Sequence, residues 1–451
     1  MNIEEKLRQL KAAAKPAQQH SALQEQLALL RSQEKLRKEL PAARAPLGIE
    51  HYVEGEVLRH EMGEYFLARQ SLPFGRPYGK LRIGDIPTAE LDALNIFLAQ
   101  GRLPQPSGLV FLDTETTGLA GGAGTCAFLI GIGMTRGNTF EVQQYFLRDY
   151  PEERAVLAAL ADVLQEFSGL VTFNGKTFDV PLLENRYTLA RMASPFDRML
   201  HMDLLHPARR LWKLRLDSCR LENLELHLLG VTREGDVDGA EIPAIYFDYL
   251  RTGDARGLQP VFYHNALDIV TLAALTVEAS QAIATATAGE EPSGAIPAAD
   301  GAPCSKQSLD LLSLSRIFER AGDRGSARAT RTRAIAAGLP GRAECEALWE
   351  MALHHKRLGE YSAAVNIWQQ VATRPYELAF DAWRELAIHH EHRCRDYPAA
   401  LRFAEAALQR LNDGFSPPFN SNLHTRHFRA FLHRAERLRR KCTAVGATPA
   451  G

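Results

Sequence analysis

The 451-residue sequence lacks an excess of either charge, because 53 Lys and Arg residues stand against 54 Asp and Glu residues. A uniformly basic surface is therefore excluded, and any nucleic-acid-binding surface must be a local basic patch. Cysteine is also scarce: the six cysteines are scattered and form no C-x-x-C pair. This spacing argues against a zinc site or a disulfide framework.

Long apolar stretches are missing as well. The opening segment "MNIEEKLRQLKAAAKPAQQH" is too polar for a signal peptide, and no apolar run reaches the length of a membrane span. We therefore expect a cytoplasmic protein with no membrane partner. The composition, 45% hydrophobic and 24% charged, is typical of globular proteins, and the length allows two or three domains.

Changes in composition and hydrophobic pattern along the sequence predict five parts. Residues 1–106 read as one or two exposed helices followed by a short β-rich segment, and residues 107–283 alternate strand-like with helix-like segments. Residues 284–306 are rich in Ala, Gly, Pro and Ser and predict a flexible linker. Residues 307–440 are helical throughout, and residues 441–451 form a tail.

The segment 107–283 predicts an α/β domain with a mixed central sheet flanked by helices. Three early strands are joined by short turns, and later strands alternate with helices. The predicted strands are Leu109–Thr114, Ala127–Thr135, Thr139–Leu147, Leu170–Phe173 and Met199–Leu204. The predicted helices are Glu152–Phe167, Val180–Arg191, Leu221–Leu229 and Gln259–Ala282.

The helical segment 307–440 repeats. Two copies begin near Ala347 and Ala382, and their tryptophans Trp349 and Trp383 are 34 residues apart. The pattern resembles tetratricopeptide repeats, although the second copy lacks the turn glycine and carries insertions. We expect an all-α repeat domain that binds a protein partner.

Two polar runs in the helical segment invite other interpretations. The run "HHEH" at His389–His392 could suggest a metal cluster, but adjacent residues fan around a helix axis, so a repeat surface is the favoured interpretation. The basic tail His424–Lys441 predicts a capping helix with a solvated face, with a nucleic-acid contact as the alternative.

The chemistry of the chain is concentrated first in "LVFLDTETTGLAGG". Asp113 and Glu115 are two apart on a strand, so their side chains share a face at the carboxyl end of that strand. Two neighbouring carboxylates repel each other, and Mg²⁺ or Mn²⁺ would remove that repulsion. The alternative is structural: both acids are solvated at the strand end, or one caps the following turn.

Two further segments carry matching residue types. In "LVTFNGKTFDVPLL", Asp179 follows a strand and falls at the start of a helix, where capping is its structural alternative. In "VFYHNALDIVTLAAL", Asp268 and His264 are four apart and share a helix face. Tyr263, five before Asp268, should point elsewhere.

Together "FLDTETTG", "NGKTFD" and "YHNALD" resemble the three exonuclease motifs of the DEDD nuclease superfamily, on a ribonuclease-H-like fold. The YprB-type ribonuclease-H-like domain family is similar over about residues 107–280. The resemblance implies that four carboxylates hold two Mg²⁺ or Mn²⁺ ions: Asp113, Glu115, Asp179 and Asp268.

The resemblance also implies a base that orients and deprotonates the attacking water. The superfamily's tyrosine branch has Tyr four before the last Asp, and its histidine branch has His five before it. This chain has His264 four before the last Asp and Tyr263 five before it, so both residues are candidates for the base. Helix geometry favours His264.

The sequence thus predicts a ribonuclease-H-like domain followed by an all-α tetratricopeptide-like repeat domain. The implied function is a metal-dependent nuclease, a 3′–5′ exonuclease acting on DNA or RNA. Asn174 and Lys176 are candidate substrate contacts, and Asp203 and Arg186 are secondary candidates. The alternative is a catalytically silent domain that serves, with the repeats, as a scaffold.

Overall fold

The structure is a computed structural model that describes residues 48–118, 124–288, 306–413 and 421–446. The helices expected within residues 1–45, and residues 289–305 of the expected linker, lie outside the described residues. The chain divides into two compact units. The first comprises the described residues up to Leu91, Gln100–Leu204 and Leu221–Val277; the second comprises Asp92–Ala99, Leu205–Arg220 and the described residues from Glu278 onward.

Within the described residues, seven strands form the central sheet of the first unit. Their bounds are β1 Glu56–His60, β2 Gly63–Pro73, β5 Leu109–Thr116, β6 Ala127–Arg136, β7 Thr139–Phe146, β8 Gly169–Thr172 and β9 Leu200–Asp203. They lie in the order β1-β2-β7-β6-β5-β8-β9. β5, β8 and β9 run parallel, and the other neighbours are antiparallel. The mixed sheet, flanked by helices and followed by a helical region, confirms the predicted fold class.

Burial explains why these segments form strands. β5 begins with four apolar residues that are at most 2% exposed, and β6 is buried over its first eight residues. Continuous apolar runs of this kind are typical of strands covered on both faces. Polar residues enter β5 only from Asp113 onward, at its carboxyl end.

The N-terminal β-rich segment differs from the prediction. The sequence places it apart from the domain at 107–283, but β1 and β2 extend the central sheet, with β2 antiparallel to β7 from Phe66–Phe146 to Pro73–Thr139. Local alternation predicts a strand but does not tell which strand it pairs with. A separate two-stranded sheet joins β3 Pro77–Tyr78 to β4 Leu81–Arg82.

Helices follow or separate the strands along the chain. Those of the first unit are α1 Glu153–Leu164, α2 Asp179–Ala190, α4 Leu221–Leu224 with a π-helical extension Glu225–Leu229, and α5 Ile242–Thr252. The helix α3 Leu205–Trp212 belongs to the second unit. Short 3₁₀ segments occur at Ile49–His51, Ile83–Asp85, Asp92–Phe97, Pro106–Gly108, Tyr150–Glu152 and Phe196–Arg198. The sequence predicts neither α3 nor α5.

The expectation that no apolar stretch is as long as a membrane span is wrong for the helix α6, Leu258–Ala288. It has 31 residues, and an 18-residue window within Leu258–Thr287 has a mean hydropathy of 1.4. By length and composition such a helix could cross a membrane. However, 72% of that window is buried inside the protein, as in the core helix of a soluble domain. It also extends past the predicted end of the domain at residue 283, to Ala288.

Two glycines of β6 let α6 approach the sheet. A Cβ at Gly131 would lie 2.2 Å from Asn265 Oδ1, and one at Gly133 would lie 2.3 Å from Ile269 Cγ2. Both distances are shorter than any real side-chain contact, so only glycine fits under the helix. The consequence is that polar side chains of α6 reach the carboxyl end of β5.

The second unit is helical in its described residues. After residue 305 it contains α7 Lys306–Ala321, α8 Arg324–Ala336, α9 Gly341–Leu358, α10 Tyr361–Thr373, α11 Leu378–His389, α12 Tyr397–Asn412 and α13 Ser421–Gly446. Trp349 lies on α9 and Trp383 on α11, at equivalent places in successive helix pairs. The insertion in the second copy forms a π-helical turn, His390–Cys394. The resemblance to tetratricopeptide repeats stays a prediction.

Candidate active site

The five residues singled out from the motifs lie together at the carboxyl end of β5. Asp113 and Glu115 are on β5, Asp179 is the first residue of α2, and His264 and Asp268 are on α6. His264 Nε2 is 3.6 Å from Asp268 Oδ2 and 4.0 Å from Glu115 Oε1. A register shift between Glu115 and Thr116 marks a bulge at this end of the strand, a feature often found beside active sites.

Three of the four acids accept a hydrogen bond from a neighbouring side chain; the donor to Asp268 is an arginine described below. Asn265 Nδ2 donates to Asp113 Oδ2 over 3.0 Å, and Thr114 Oγ1 donates to Asp179 Oδ1 over 2.5 Å. Asn265 is itself fixed, because its Oδ1 accepts from Gln144 Nε2 over 2.9 Å. The two neutral donors hold their carboxylates in place without cancelling the charge.

The acids raise one another's affinity for protons. Burial, then repulsion from Asp268, Glu115 and Asp179, raises the pKa of Asp113 well above its ordinary value. Burial also raises the pKa of Glu115 to about 7 and that of Asp179 to about 6. For Glu115 the attraction of His264 only partly opposes this shift. The ionised cluster is therefore short of positive charge.

His264 sits between this cluster and Asp236. Its Nδ1 is 2.8 Å from Asp236 Oδ1, so its Nε2 faces Glu115 and Asp268. Burial lowers the pKa of His264, but Asp268, Glu115 and Asp236 outweigh burial and raise it overall. The neighbouring Tyr263 is 43% exposed, whereas the His264 side chain is 8% exposed. The structure thus brings His264, and not Tyr263, against the acids.

One arginine enters the cluster. Arg233 donates from Nη2 to Asp268 Oδ1 over 2.5 Å, from Nη1 to Asp236 Oδ2 over 3.1 Å and from Nε to Glu225 Oε2 over 2.6 Å. Glu225 is 1% exposed and also accepts from the Tyr78 hydroxyl over 2.7 Å. The guanidinium side chain, 8% exposed, is thus held on three sides.

The "NGKTFD" segment forms a tight loop that delivers Asp179. Asn174 has φ +68°, and its backbone N–H donates to Asp203 Oδ1 over 2.7 Å. The Lys176 backbone N–H donates to Asp203 Oδ2 over 3.1 Å. The buried carboxylate of Asp203 therefore organises this loop by accepting a backbone hydrogen bond at each of its two oxygens.

The remaining candidates lie at the margin of the site. Arg186, a candidate phosphate contact, is paired with Glu153 over 2.5 Å and is half-buried. Lys176 is exposed, and Asn174 is partly buried. Phe178, next to Asp179, is 53% exposed although it is aromatic. An exposed aromatic side chain beside acids leaves a ring face open for stacking.

The donor set fits a divalent cation by its chemistry. Carboxylate oxygens suit Mg²⁺ or Mn²⁺, and six acids meet here with one arginine and one histidine: Asp113, Glu115, Asp179, Glu225, Asp236 and Asp268. Across the described parts of the chain, no three His, Cys, Asp or Glu side chains converge closely enough to hold an ion as they stand, the HHEH run included. Binding an ion at these acids therefore requires some of their side chains to rotate.

Sequence reasoning missed three polar side chains of the site. Asn265 stands inside the quoted motif "YHNALD", where a polar residue on a buried helix face could have marked it. Arg233 and Asp236 belong to "VTREGDVDG", a polar segment without periodicity that resembles an ordinary loop. Their part in the site depends on the fold, because each lies far along the chain from its partner on α6: 35 residues for Arg233 and Asp268, and 28 for Asp236 and His264.

Comparison with known proteins adds two findings. Residues 110–280 match the RNase_H superfamily. The chain is 31% identical over 307 residues to "Uncharacterized protein YprB" of Bacillus subtilis (strain 168), which covers 67% of this chain and 69% of that protein.

Proposed function

Since the chain belongs to the family of the Bacillus subtilis YprB protein and carries an RNase_H superfamily domain, we propose that it is a metal-dependent nuclease, a 3′–5′ exonuclease that hydrolyses phosphodiester bonds of DNA or RNA. The observation that carries the proposal is the gathering of Asp113, Glu115, Asp179, His264 and Asp268 at one strand end. The domain supports nucleic-acid hydrolysis in general, and the polarity rests on the motifs.

Two Mg²⁺ or Mn²⁺ ions would be held by the four carboxylates. When bound, the ions would supply positive charge to the phosphate and to the leaving oxygen. Support comes from burial and, after it, the repulsion of neighbouring acids, which together raise the pKa values of Asp113 and Glu115. A buried group of ionised acids is unfavourable unless positive charge accompanies it.

His264 would take the proton of the attacking water at Nε2. The hydrogen bond from Nδ1 to Asp236 leaves Nε2 to face Asp268 and Glu115. A neutral imidazole that donates from one nitrogen accepts at the other. General-base catalysis of this kind contributes about 10²- to 10⁴-fold in rate.

The substrate strand would pass over the "NGKTFD" loop. We place Asn174 and Lys176 there as substrate contacts, and the exposed ring of Phe178 as a stacking surface for a base. Base stacking on an aromatic side chain tolerates any sequence, as an exonuclease requires.

We also propose a protein partner for the helical region and a cytoplasmic location. Support for the partner comes from the repeated placement of Trp349 and Trp383 on successive helix pairs. Stacked helix pairs build extended surfaces that suit protein ligands.

The test is cleavage of end-labelled single-stranded and duplex DNA and RNA with Mg²⁺, Mn²⁺ or EDTA. Asp113→Asn should abolish cutting, because Asp113 lies at the centre of the acids. Asp197→Asn is the matched control: Asp197 is exposed and precedes β9, at the opposite edge of the sheet from β1. Metal-dependent products shortened from the 3′ end support the proposal. Failure to cut any substrate, with Mn²⁺ binding intact, would favour the silent scaffold instead.

A further inference from the structure

The loop between α4 and α5 reaches into the acid cluster through two side chains. Asp236 contacts His264, and Arg233 contacts Asp268, so the loop touches both candidate residues of α6. No motif used to assign the site includes this loop. Because the loop contacts the proposed base, His264, and a proposed metal ligand, Asp268, we looked for its function.

We propose that Asp236 is the positioning residue of His264, and that Arg233 fastens the loop to Asp268 so that both contacts are kept in register. The inference rests on the proposed nuclease function, because His264 is the base in that function. Asp236 itself would touch neither substrate nor ions.

The first argument is the geometry of the imidazole. Its Nδ1 is 2.8 Å from Asp236 Oδ1, and a carboxylate can only accept, so Nδ1 carries the hydrogen. In the neutral ring the lone pair is then on Nε2, the nitrogen that faces Glu115 and Asp268. Asp236 thus selects the tautomer that a base needs.

The second argument is that Asp236 is itself immobilised. Its Oδ1 also accepts from the Val237 backbone N–H over 2.8 Å, and its Oδ2 accepts from Arg233 Nη1 over 3.1 Å. Its side chain is only 14% exposed. A carboxylate fixed at both oxygens can hold an imidazole in one orientation, whereas a solvated one would rotate with it.

The third argument is the anchoring of Arg233. Its planar fork reaches Asp268, Asp236 and Glu225 at once, which the point charge of a lysine could not reproduce. Glu225 is almost fully buried and is also bonded to Tyr78, whose hydroxyl lies 2.5 Å from Thr271 Oγ1. The loop is therefore bonded to the π-helical segment after α4, and through it to β3, as well as to the helix α6.

The experiment compares wild type, Asp236→Asn, His264→Ala and the double variant in steady-state cleavage with Mn²⁺. Asp236→Asn should lower kcat by about 10- to 100-fold with KM nearly unchanged, as for other residues that orient a functional histidine. In the His264→Ala background it should cost nothing further, because the residue it positions is gone. Mn²⁺ affinity should change much less than kcat, because Asp236 is not among the proposed ligands.

The control is Asp238→Asn. Asp238 lies two residues along the same loop, is exposed, and accepts from the nearby Ala240 backbone N–H over 2.9 Å. This variant should retain wild-type kcat. If Asp236→Asn melts several degrees lower than wild type, Asp236→Glu is measured as well. Because it keeps the negative charge, its kcat should lie between those of Asp236→Asn and wild type.

Several outcomes separate this inference from the proposed function. If wild type cuts nucleic acid and Asp236→Asn cuts equally well, the positioning role is wrong while the nuclease stands. An equal loss from Asp236→Asn with and without His264 would also overturn it, since the residue would then act on its own. If wild type cuts nothing, the proposed function has failed, and the inference fails with it.

Discussion

Replacing the Glu115 carboxyl by an amide, in Glu115→Gln, should stabilise the first unit when no divalent cation is present. Burial, opposed in part by His264 and aided by Asp268, Asp179 and Asp236, raises the pKa of Glu115 from its ordinary 4.5 to about 7. The difference of about 2.5 pKa units, at about 1.4 kcal/mol each, corresponds to about 3 kcal/mol of unfolding free energy. A carboxyl whose pKa rises on folding supports folding below its unfolded pKa, and that support is lost as the pH rises through the folded value.

The loss should therefore fall between about pH 4.5 and pH 7 in EDTA, and the Glu115→Gln variant should escape it. Amide hydrogen exchange of peptides from β5 and β6, corrected for intrinsic rates, measures opening of this unit. Trp fluorescence would not, because Trp212, Trp349, Trp368 and Trp383 all lie in the second unit.

At pH 8 the variant should exchange more slowly than wild type by a factor on the order of 100, and the gap should close at pH 4. Added Mg²⁺ should protect wild type much more than the variant. Equal pH dependence in the two proteins would refute the argument that burial and the neighbouring acids raise the pKa of Glu115 on folding.

Three other substitutions test neighbouring features. Gly131→Ala should destabilise the first unit by about 1–3 kcal/mol and lower cleavage, because its Cβ would collide with Asn265; thermal melting and kcat check this, and unchanged values would contradict the close approach. Phe178→Ala should raise KM for single strands by an amount equivalent to about 1–3 kcal/mol if its exposed ring stacks on a base, and an unchanged KM would remove that role. Glu391→Gln should destabilise the second unit by about 1–3 kcal/mol, read from Trp fluorescence in urea, because three basic side chains of α13 bond this buried carboxylate; an unchanged unfolding free energy would show that they find other partners.

The strands of the α/β domain could be read from the sequence because each is an apolar run bounded by a turn. β5, β6 and β7 lie within two residues of their predicted bounds. Pairing is a different matter, because alternation in residues 50–90 shows that strands exist but carries no information on their partner. The addition of β1 and β2 to β7 follows from tertiary packing.

Four of the five motif residues could be grouped in two pairs because strand and helix periodicities fix which side chains share a face, whereas Asp179 joined them through the resemblance of its motif. His264 and Asp268 were grouped from their spacing of four, and the structure has them 3.6 Å apart at their nearest charged atoms. Arg233 and Asp236 could not be found in this way. A loop has no periodic pattern, so its local sequence does not tell which residues its side chains contact in the folded protein.

The helix α5 was missed for a related reason. Its segment "IPAIYFDYLRT" mixes branched and aromatic residues that favour strands, and tertiary contacts of Tyr246 override that preference. Tyr246 stacks on Phe128 of β6 at 4.0 Å between ring centroids. Its hydroxyl also donates to the Leu147 carbonyl over 2.9 Å.

The hairpin of β1 and β2 decides how this protein can be cut for study. A shortened chain that starts at residue 110, where the superfamily match begins, would remove β2 from β7. Every second residue of the eight in β7 that pair with β2 would then present open N–H and C=O groups at the edge of the sheet, with Phe140, Tyr145 and Phe146 beside them. Such an edge pairs readily with another copy, so loss of solubility in that fragment would report a bare strand and not a faulty active site.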